Sequence, residues 1–465
     1  MQITFCGGAQ TVTGSQYVVS VNGQSILIEC GLFQGRRDET YQRNRRHCYD
    51  PARIDAVVLS HAHIDHSGNI PNLVRNGYDG PIYSTAATAD LCQIMLRDSA
   101  FLQSRDVEFV NKRRKRRGDG PIEPLYTIVD AEEAMSRFVG VQYDRRLNIL
   151  PGVHVTFQEA GHILGSSSPL LEIEEGGRTV RFGYTGDLGR YHVPILRDPD
   201  PFQDLDVLVM ESTYGNRIHG PDENIEEELA HTVREVAGAG GKIIIPAFAV
   251  GRTQVIVYML HKLCNEGRIP EIPMFVDSPL ATSATQVFRT HPECFDRDTY
   301  QNFLEHHEDP FGFGRLKYVG SVEESKKLNG LPYPHIIISA SGMAEGGRVL
   351  HHLRNNIGDR KNMVLFVGYA ARHTLARRIM DGERTVRIFG ERHTVRCKVK
   401  TMDVFSAHAD RDELLAYVDF CPPKRLQHLF LVHGEPGEAL PLKADLEEKG
   451  YRQVHYPADS ETAAF

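Results

Sequence analysis

Long apolar runs are missing from this chain: nowhere do eighteen apolar residues follow one another, which excludes an ordinary membrane-spanning helix. None of the eight cysteines, Cys6, Cys30, Cys48, Cys92, Cys264, Cys294, Cys397 and Cys421, stands in a C-x-x-C pair. That argues against a zinc ribbon or a disulfide framework and for free thiols in a reducing compartment. Low-complexity tracts and repeats of fixed period are absent as well. The first residues, "MQITFCGGAQTVTGSQYVVSVNGQSILIECG", lack a charged leader followed by an apolar core and read at once as short alternating strands with glycine turns. No signal peptide is expected, and a cytoplasmic location follows.

What is present is an ordinary globular composition, 41% hydrophobic and 25% charged, over 465 residues. That length exceeds one small domain and predicts two or three units with ample cores. The net charge of −8 points away from nucleic acid as a partner, although local patches decide such binding. One patch is the unbroken basic run Lys112 to Arg117 in "NKRRKRRGDG", readable as a solvated helix end or loop, or as a polyanion contact. A second, looser basic region spreads Arg372, Arg377, Arg378, Arg384, Arg387, Arg392, Arg396, Lys398 and Lys400 over helix and strand patterns.

Strands with turns dominate residues 1–212, among them "VHVTFQEA", "SPLLEIEEGGRTVRFGYTGD" and "DVLVMES", interrupted by helical stretches such as "ATADLCQIMLRDSAFLQ". The mixture predicts a sandwich of sheets covered by helices. Over 213–385 apolar strands ("KIIIPAF", "PHIIISAS", "MVLFVGY") alternate with amphipathic helices, the signature of a parallel sheet covered on both faces. Residues 386–465 return to the first pattern, so 213–385 reads as an insert. The insert carries neither G-x-x-x-x-G-K-[ST] nor a G-x-G-x-x-G after a strand, which removes the strongest reasons to propose ATP or NAD.

The densest chemistry lies in "DAVVLSHAHIDHSGNIP", where His61, His63, Asp65 and His66 follow an apolar strand. An H-x-H-x-D-H spacing presented beyond a strand end lets two imidazoles serve one ion while the carboxylate and last imidazole serve another about 3.5–4 Å away. A single structural zinc would use four ligands and stop. Further candidates occupy comparable strand ends: His162 in "EAGHILGS", Asp187 in "YTGDLGR" and His433 in "FLVHGE". Singly, each histidine is also readable as a hydrogen-bonded core residue, and "TGD" as a turn with an Asp cap.

Together, "SHAHIDHSG", "AGHILGS", "TGDLG" and "VHGE" resemble the metal motifs of the metallo-β-lactamase superfamily. "ESTYGNR", "FSAHAD" and the final "VHGE", with a βα insert, are similar to its β-CASP branch of nucleases, and the resemblance covers essentially the whole chain. It implies an α/β fold, an αββα sandwich with an inserted β-CASP domain built on a mainly parallel sheet flanked by helices. It further implies two Zn2+, one held by His61, His63 and His162, the other by Asp65, His66 and His433, with Asp187 bridging. Glu211 and His408 match the branch's additional acid and histidine, and a histidine at position 433 is the family's sign of an RNA substrate. The expected activity is hydrolysis of single-stranded RNA, by endonucleolytic or 5′-exonucleolytic cleavage. The alternatives are a DNA-acting nuclease or a small-molecule thioester hydrolase. A homodimer is a possible assembly, and no membrane partner is expected.

"IIISASGMAEGGRVLHHL" could set Ser341, Gly342, Met343, Gly346 and Gly347 against a phosphate at a helix start, or could be a strand-to-helix turn in which glycine relieves strain. Arg252 in "PAFAVGRTQ" offers a cation at another helix start.

Overall fold

The computed structural model describes residues 1–465 except 36, 221–224, 306–308, 369, 372 and 403–405, with backbone alone at 37, 38 and 303–305. It divides into two compact units, Met1–Ile218 with His408–Phe465, and His219–Ala407. Arg372 of the second basic region lies outside the described residues.

Two seven-stranded sheets make the first unit. One runs edge to edge through Thr462–Ala464, Gln2–Gly7, Gln16–Val21, Gln24–Ile28, Ala56–Val58, Ile82–Thr85 and Phe138–Val141. The other runs through Val454–His455, His428–Val432, Val207–Glu211, Arg178–Tyr184, Ser167–Glu175, Val153–Glu159 and Leu147–Leu150. Alternation along the strands sorts their side chains between two cores. Val207, Val209, Phe430 and Val432 meet Phe5, Tyr17, Ile26 and Val58 of the facing sheet. Leu208, Met210, Leu429 and Leu431, one residue out of step, pack under Leu414 and Val418 of the helix Arg411–Asp419 and Leu442 and Leu446 of Pro436–Glu448. Each such side chain contributes roughly 1.5–3 kcal/mol by leaving water. The expected sandwich is therefore present.

Strand direction positions the chemistry. Val153–Glu159 pairs antiparallel with Ser167–Glu175, which pairs antiparallel with Arg178–Tyr184, so the outer two point the same way. Arg178–Tyr184, Val207–Glu211 and His428–Val432 are mutually parallel. All four strands thus end at one edge, where the turns carrying His162, Asp187, Glu211 and His433 begin.

In the second unit a six-stranded sheet runs through Leu316–Tyr318, Met274–Val276, His335–Ser339, Lys242–Pro246, Met363–Phe366 and Lys398–Thr401, every pair parallel. The stretch from 386, expected to open the last part of the first domain, instead completes a hairpin, Thr385–Ile388 with Glu391–Thr394, and supplies the edge strand Lys398–Thr401. This unit consequently reaches Ala407.

The expectation that all eight cysteines are free is corrected at one pair. Cys6 and Cys48 form a disulfide, their Cα atoms 5.7 Å apart, because the end of Gln2–Gly7 and the segment before Asp50 fold onto each other. The other six are free thiols. No described helix is long and apolar enough to cross a membrane.

Candidate metal centre

The strand Ala56–Val58 delivers Leu59 and Ser60, then His61, and the chain turns into the short helix Ile64–Ser67 with His63 at its N-cap. Backbone hydrogen bonds hold this helix in place: Cys30 N–H donates to His66 O (2.8 Å), Leu32 N–H to Ile64 O (2.9 Å) and Ser15 N–H to Asp65 O (2.9 Å). Gly31 lies so close that any Cβ there would collide with the Asp65 carbonyl, which explains the glycine of "IECG". Gly189 is required in the same way, by the backbone of Gly161 beside His162. His433 adopts φ +49°, a strained backbone for a histidine, and its N–H donates to Gly8 O (2.7 Å).

Three imidazoles converge first. His61 Nε2 and His162 Nε2 each lie 3.2 Å from His63 Nδ1, and both lie 3.5 Å from Asp187 Oδ2. Beside them His66 Nε2 lies 3.3 Å from His433 Nε2 and 3.3 Å from Asp187 Oδ1, and Asp65 Oδ2 is 3.6 Å from His433 Nε2. Asp187 belongs to both groups and is 2% exposed. Its Oδ1 has no hydrogen-bond donor among the described residues, although His433 Nδ1 is only 3.2 Å away.

Lone pairs pressed together this closely are costly unless a cation sits among them. A tetrahedral zinc with bonds near 2.0–2.1 Å sets its ligand atoms about 3.3–3.4 Å apart, and the separations above bracket that value. The donor set, imidazoles with carboxylates, suits zinc. The residues present therefore fit the implied metal.

Partners behind the cluster fix its members. Ser60 Oγ is 2.9 Å from His61 Nδ1, which turns Nε2 into the site. Glu29, wholly buried, accepts the Ser60 N–H at 3.0 Å and faces His66 Nδ1 at 3.7 Å. Thr213 Oγ1 is 3.1 Å from His433 Nδ1 and donates to its carbonyl at 3.0 Å. Sequence reasoning missed all three, and their only signal is a polar residue at the end of an apolar run.

A third group adjoins these two: His408 Nδ1 is 3.3 Å from Glu211 Oε1 and 3.9 Å from Asp187 Oδ2. Glu211 is anchored by the N–H groups of Leu188 (2.6 Å) and Thr213 (3.3 Å). Charge sorts the protons. Burial draws the His61 imidazole well below its ordinary range and His63 down to about 4. Burial also opposes charge on His408, yet Glu211 and Asp187 outweigh it and lift the group to about 9. Burial opposes the ionised form of Asp65 too, but His433 and His66 bring it down to about 2.

The expected substrate-contact residues lie in the second unit. Ser341, Gly342 and Met343 follow the strand His335–Ser339, and Arg252 opens the helix Arg252–Asn265 after Lys242–Pro246, both at the carboxyl edge of the parallel sheet. Gly347 has φ +79° and its backbone approaches Ala340 O, so steric need accounts for it, whereas Gly346 has open space. Phe248, half exposed and overlooked in the sequence, borders Gly342.

Comparison with known proteins decides the family. Residues 10–247 match the metallo-beta-lactamase superfamily, 253–379 the Beta-Casp domain, and 392–457 the Zn-dependent metallo-hydrolase RNA specificity domain. The chain belongs to the β-CASP branch of the metallo-β-lactamase superfamily. This β-CASP protein is 35% identical over 453 residues to ribonuclease TTHA0252 of Thermus thermophilus, covering 97% of each chain. It is 31% identical over 466 residues to the transcription termination factor FttA of Methanocaldococcus jannaschii, covering 98% of this chain and 70% of that one. A crystal structure of a protein of unknown function from Enterococcus faecalis shares the β-CASP protein's fold, with a TM-score of 0.57 at 13% identity and 99% of each chain covered.

Proposed function

We propose that the chain is a zinc-dependent ribonuclease that hydrolyses phosphodiester bonds of single-stranded RNA with two metal ions. The carrying observation is the meeting of His61, His63, His162, Asp187, Asp65, His66 and His433 in two adjoining groups that share Asp187, with the His408–Glu211 pair alongside. The full-length similarity to a ribonuclease and the RNA specificity match support RNA as the substrate.

His61, His63 and His162 would hold one ion, Asp65, His66 and His433 the other, and Asp187 would serve both. Two bound ions lower the pKa of a coordinated water toward ~7 and offset charge on phosphoryl oxygens. The chain's own residues supply the rest. Glu211 faces Nδ1 of His408, so the proton that His408 gives to the departing 3′ oxygen is the one on Nε2. General acid help of this kind is worth roughly 10²–10⁴-fold in rate. The Ser341–Met343 loop and Arg252 would hold RNA phosphates.

Zinc-loaded protein incubated with labelled single-stranded RNA and DNA of one sequence tests this reading. Cleavage of RNA, lost in Asp187→Ala, is the expected result. DNA cleaved at the same rate, or an Asp187→Ala variant as active as the parent, refutes it. Pairing 5′-phosphorylated with 5′-hydroxyl RNA then separates exonucleolytic from endonucleolytic action.

A further inference from the structure

The helix Ala86–Arg117 is 32 residues long, about 48 Å at 1.5 Å per residue. Its first half is held in the fold through Ala87, Leu91, Cys92, Leu96 and Ala100. Beyond Ala100 no residue of the helix is buried. Phe101, Leu102 and Phe109 are 51%, 57% and 49% exposed, an expensive display of apolar surface on a helix that ends in six cations.

At about 100° per residue, Phe101, Arg105, Phe109, Lys112, Arg113 and Arg116 fall within one sector of about 120°. All six are exposed, and Glu108, at the rim of that sector, pairs with Arg105 (3.5 Å), leaving Lys112, Arg113 and Arg116 as its free cations. The opposite side faces the protein: Asn111 Nδ2 donates to Ile122 O (2.9 Å) and Arg114 Nε to Gly120 O (2.7 Å). The guanidinium of Arg113 lies 4.4 Å from the Phe109 ring centroid, so cation and aromatic already form one surface. Lys112, Arg113, Arg116 and Arg117 have no ion pair with an acid among the described residues. In the second basic region, by contrast, Arg377, Arg378, Lys398 and Lys400 are paired with Asp381, Glu383, Glu235 and Glu228.

Cations spaced between exposed aromatic rings suit one ligand chemistry, a flexible polyanion with flat bases. We propose that the outer half of this helix is an anchoring surface for single-stranded RNA, separate from the metal centre, in which Lys112, Arg113 and Arg116 take phosphates and Phe101 and Phe109 stack bases. This rests on the ribonuclease reading. A second copy of the chain is disfavoured as occupant, because unpaired cations would face unpaired cations. The helix N-cap, Thr85, donates to Gly165 O, in the turn that carries His162, so the basic tip lies tens of ångströms along the chain's longest helix from that turn. Only long substrates would therefore use it.

The test compares the parent with two variants, Lys112→Gln/Arg113→Gln/Arg116→Gln and Phe101→Ala/Phe109→Ala, each checked for zinc content and circular dichroism. Fluorescence anisotropy measures the Kd of a 40-nucleotide single-stranded RNA, and turnover is read on the same RNA and on bis(p-nitrophenyl) phosphate. Both variants are expected to weaken RNA binding and raise KM about tenfold or more, with kcat and hydrolysis of the small diester unchanged. The slope of log Kd against log salt should fall by about two for the triple variant, at 0.7 per phosphate contact. Unchanged RNA affinity in both variants overturns the proposal. It is equally overturned if the substitutions alter only sedimentation with anionic phosphatidylserine vesicles, or only the oligomeric mass. A parent that binds the RNA through this face but never cleaves it sinks the ribonuclease reading alone.

Discussion

Glu29 offers the sharpest perturbation of the metal centre, because it touches the cluster without belonging to it. Its two carboxylate oxygens have different duties: Oε1 accepts the Ser60 N–H at 3.0 Å, and Oε2 faces His66 Nδ1 at 3.7 Å. An imidazole that binds metal through Nε2 carries its proton on Nδ1 and seeks an acceptor there. Glu29→Gln keeps the shape but supplies one acceptor where two are needed. If the amide oxygen stays with Ser60, its NH2 opposes His66 Nδ1–H; if it flips, NH2 opposes the Ser60 N–H. Either way two donors meet in a fully buried place. Loss of such a partner ordinarily weakens metal affinity by roughly 10–100-fold, about 1.4–2.7 kcal/mol. Zinc titration against a competing chelator at pH 7.5 reads it. The expected isotherm shows the group containing His66 weakened by that factor, with a smaller change in the group of His61, His63 and His162. Glu29→Ala should add a stability loss of about 1–3 kcal/mol for the orphaned Ser60 N–H. Wild-type affinity in Glu29→Gln, or a larger loss in the His61 group, would refute the reasoning.

Two further outcomes follow from groups outside the His/Asp cluster. Burial pushes Glu159 up to about 7 against the pull of Arg197, so between its unfolded value of 4.5 and 7 the native state holds a proton that the unfolded chain has released. Stability should therefore fall as pH rises through that window and level off above it, by roughly 3 kcal/mol in all. Glu159→Gln keeps an acceptor for Gly161 N–H (2.9 Å) and should flatten that slope in urea unfolding at pH 5, 6, 7 and 8; an unchanged slope contradicts this. In the second unit, fully buried Asp277 accepts from Arg348 Nη1 (2.6 Å) and Ser325 Oγ (2.5 Å) and lies 2.6 Å from His352 Nε2. Asp277→Ala removes the shared acceptor of Arg348, Ser325 and His352 while leaving Arg348 its carbonyl partners Val319 and Gly320, and should cost about 2–4 kcal/mol by urea unfolding, with a loss below 1 kcal/mol counting against a buried ion pair.

The convergence of the His/Asp cluster was legible because its spacing is local and because each remaining member sits where a buried strand gives way to a small-residue turn. His61 to His66 need only six positions; His162, Asp187 and His433 share a position relative to their strands, which the common strand direction turns into proximity. Glu29, Ser60 and Thr213 have no such pattern, since each acts through a backbone contact with a segment far off in sequence. The Cys6–Cys48 bridge was hidden for the same reason, with a sequence separation of 42 between partners and no paired motif. The long helix was read only to Gln103, where its apolar stripe stops, although a different signal continued: no glycine or proline interrupts 86–117, the residues are mostly good helix formers, and Gly118 closes the helix at φ +81°. Apolar periodicity reports what a helix packs against, so it falls silent where a helix leaves the core. That the second structural unit runs past 385 has the converse cause. In Lys398–Thr401 the alternating lysines mark the exposed edge of a sheet rather than a buried centre, and such a strand carries too little apolar signal to declare which sheet it joins.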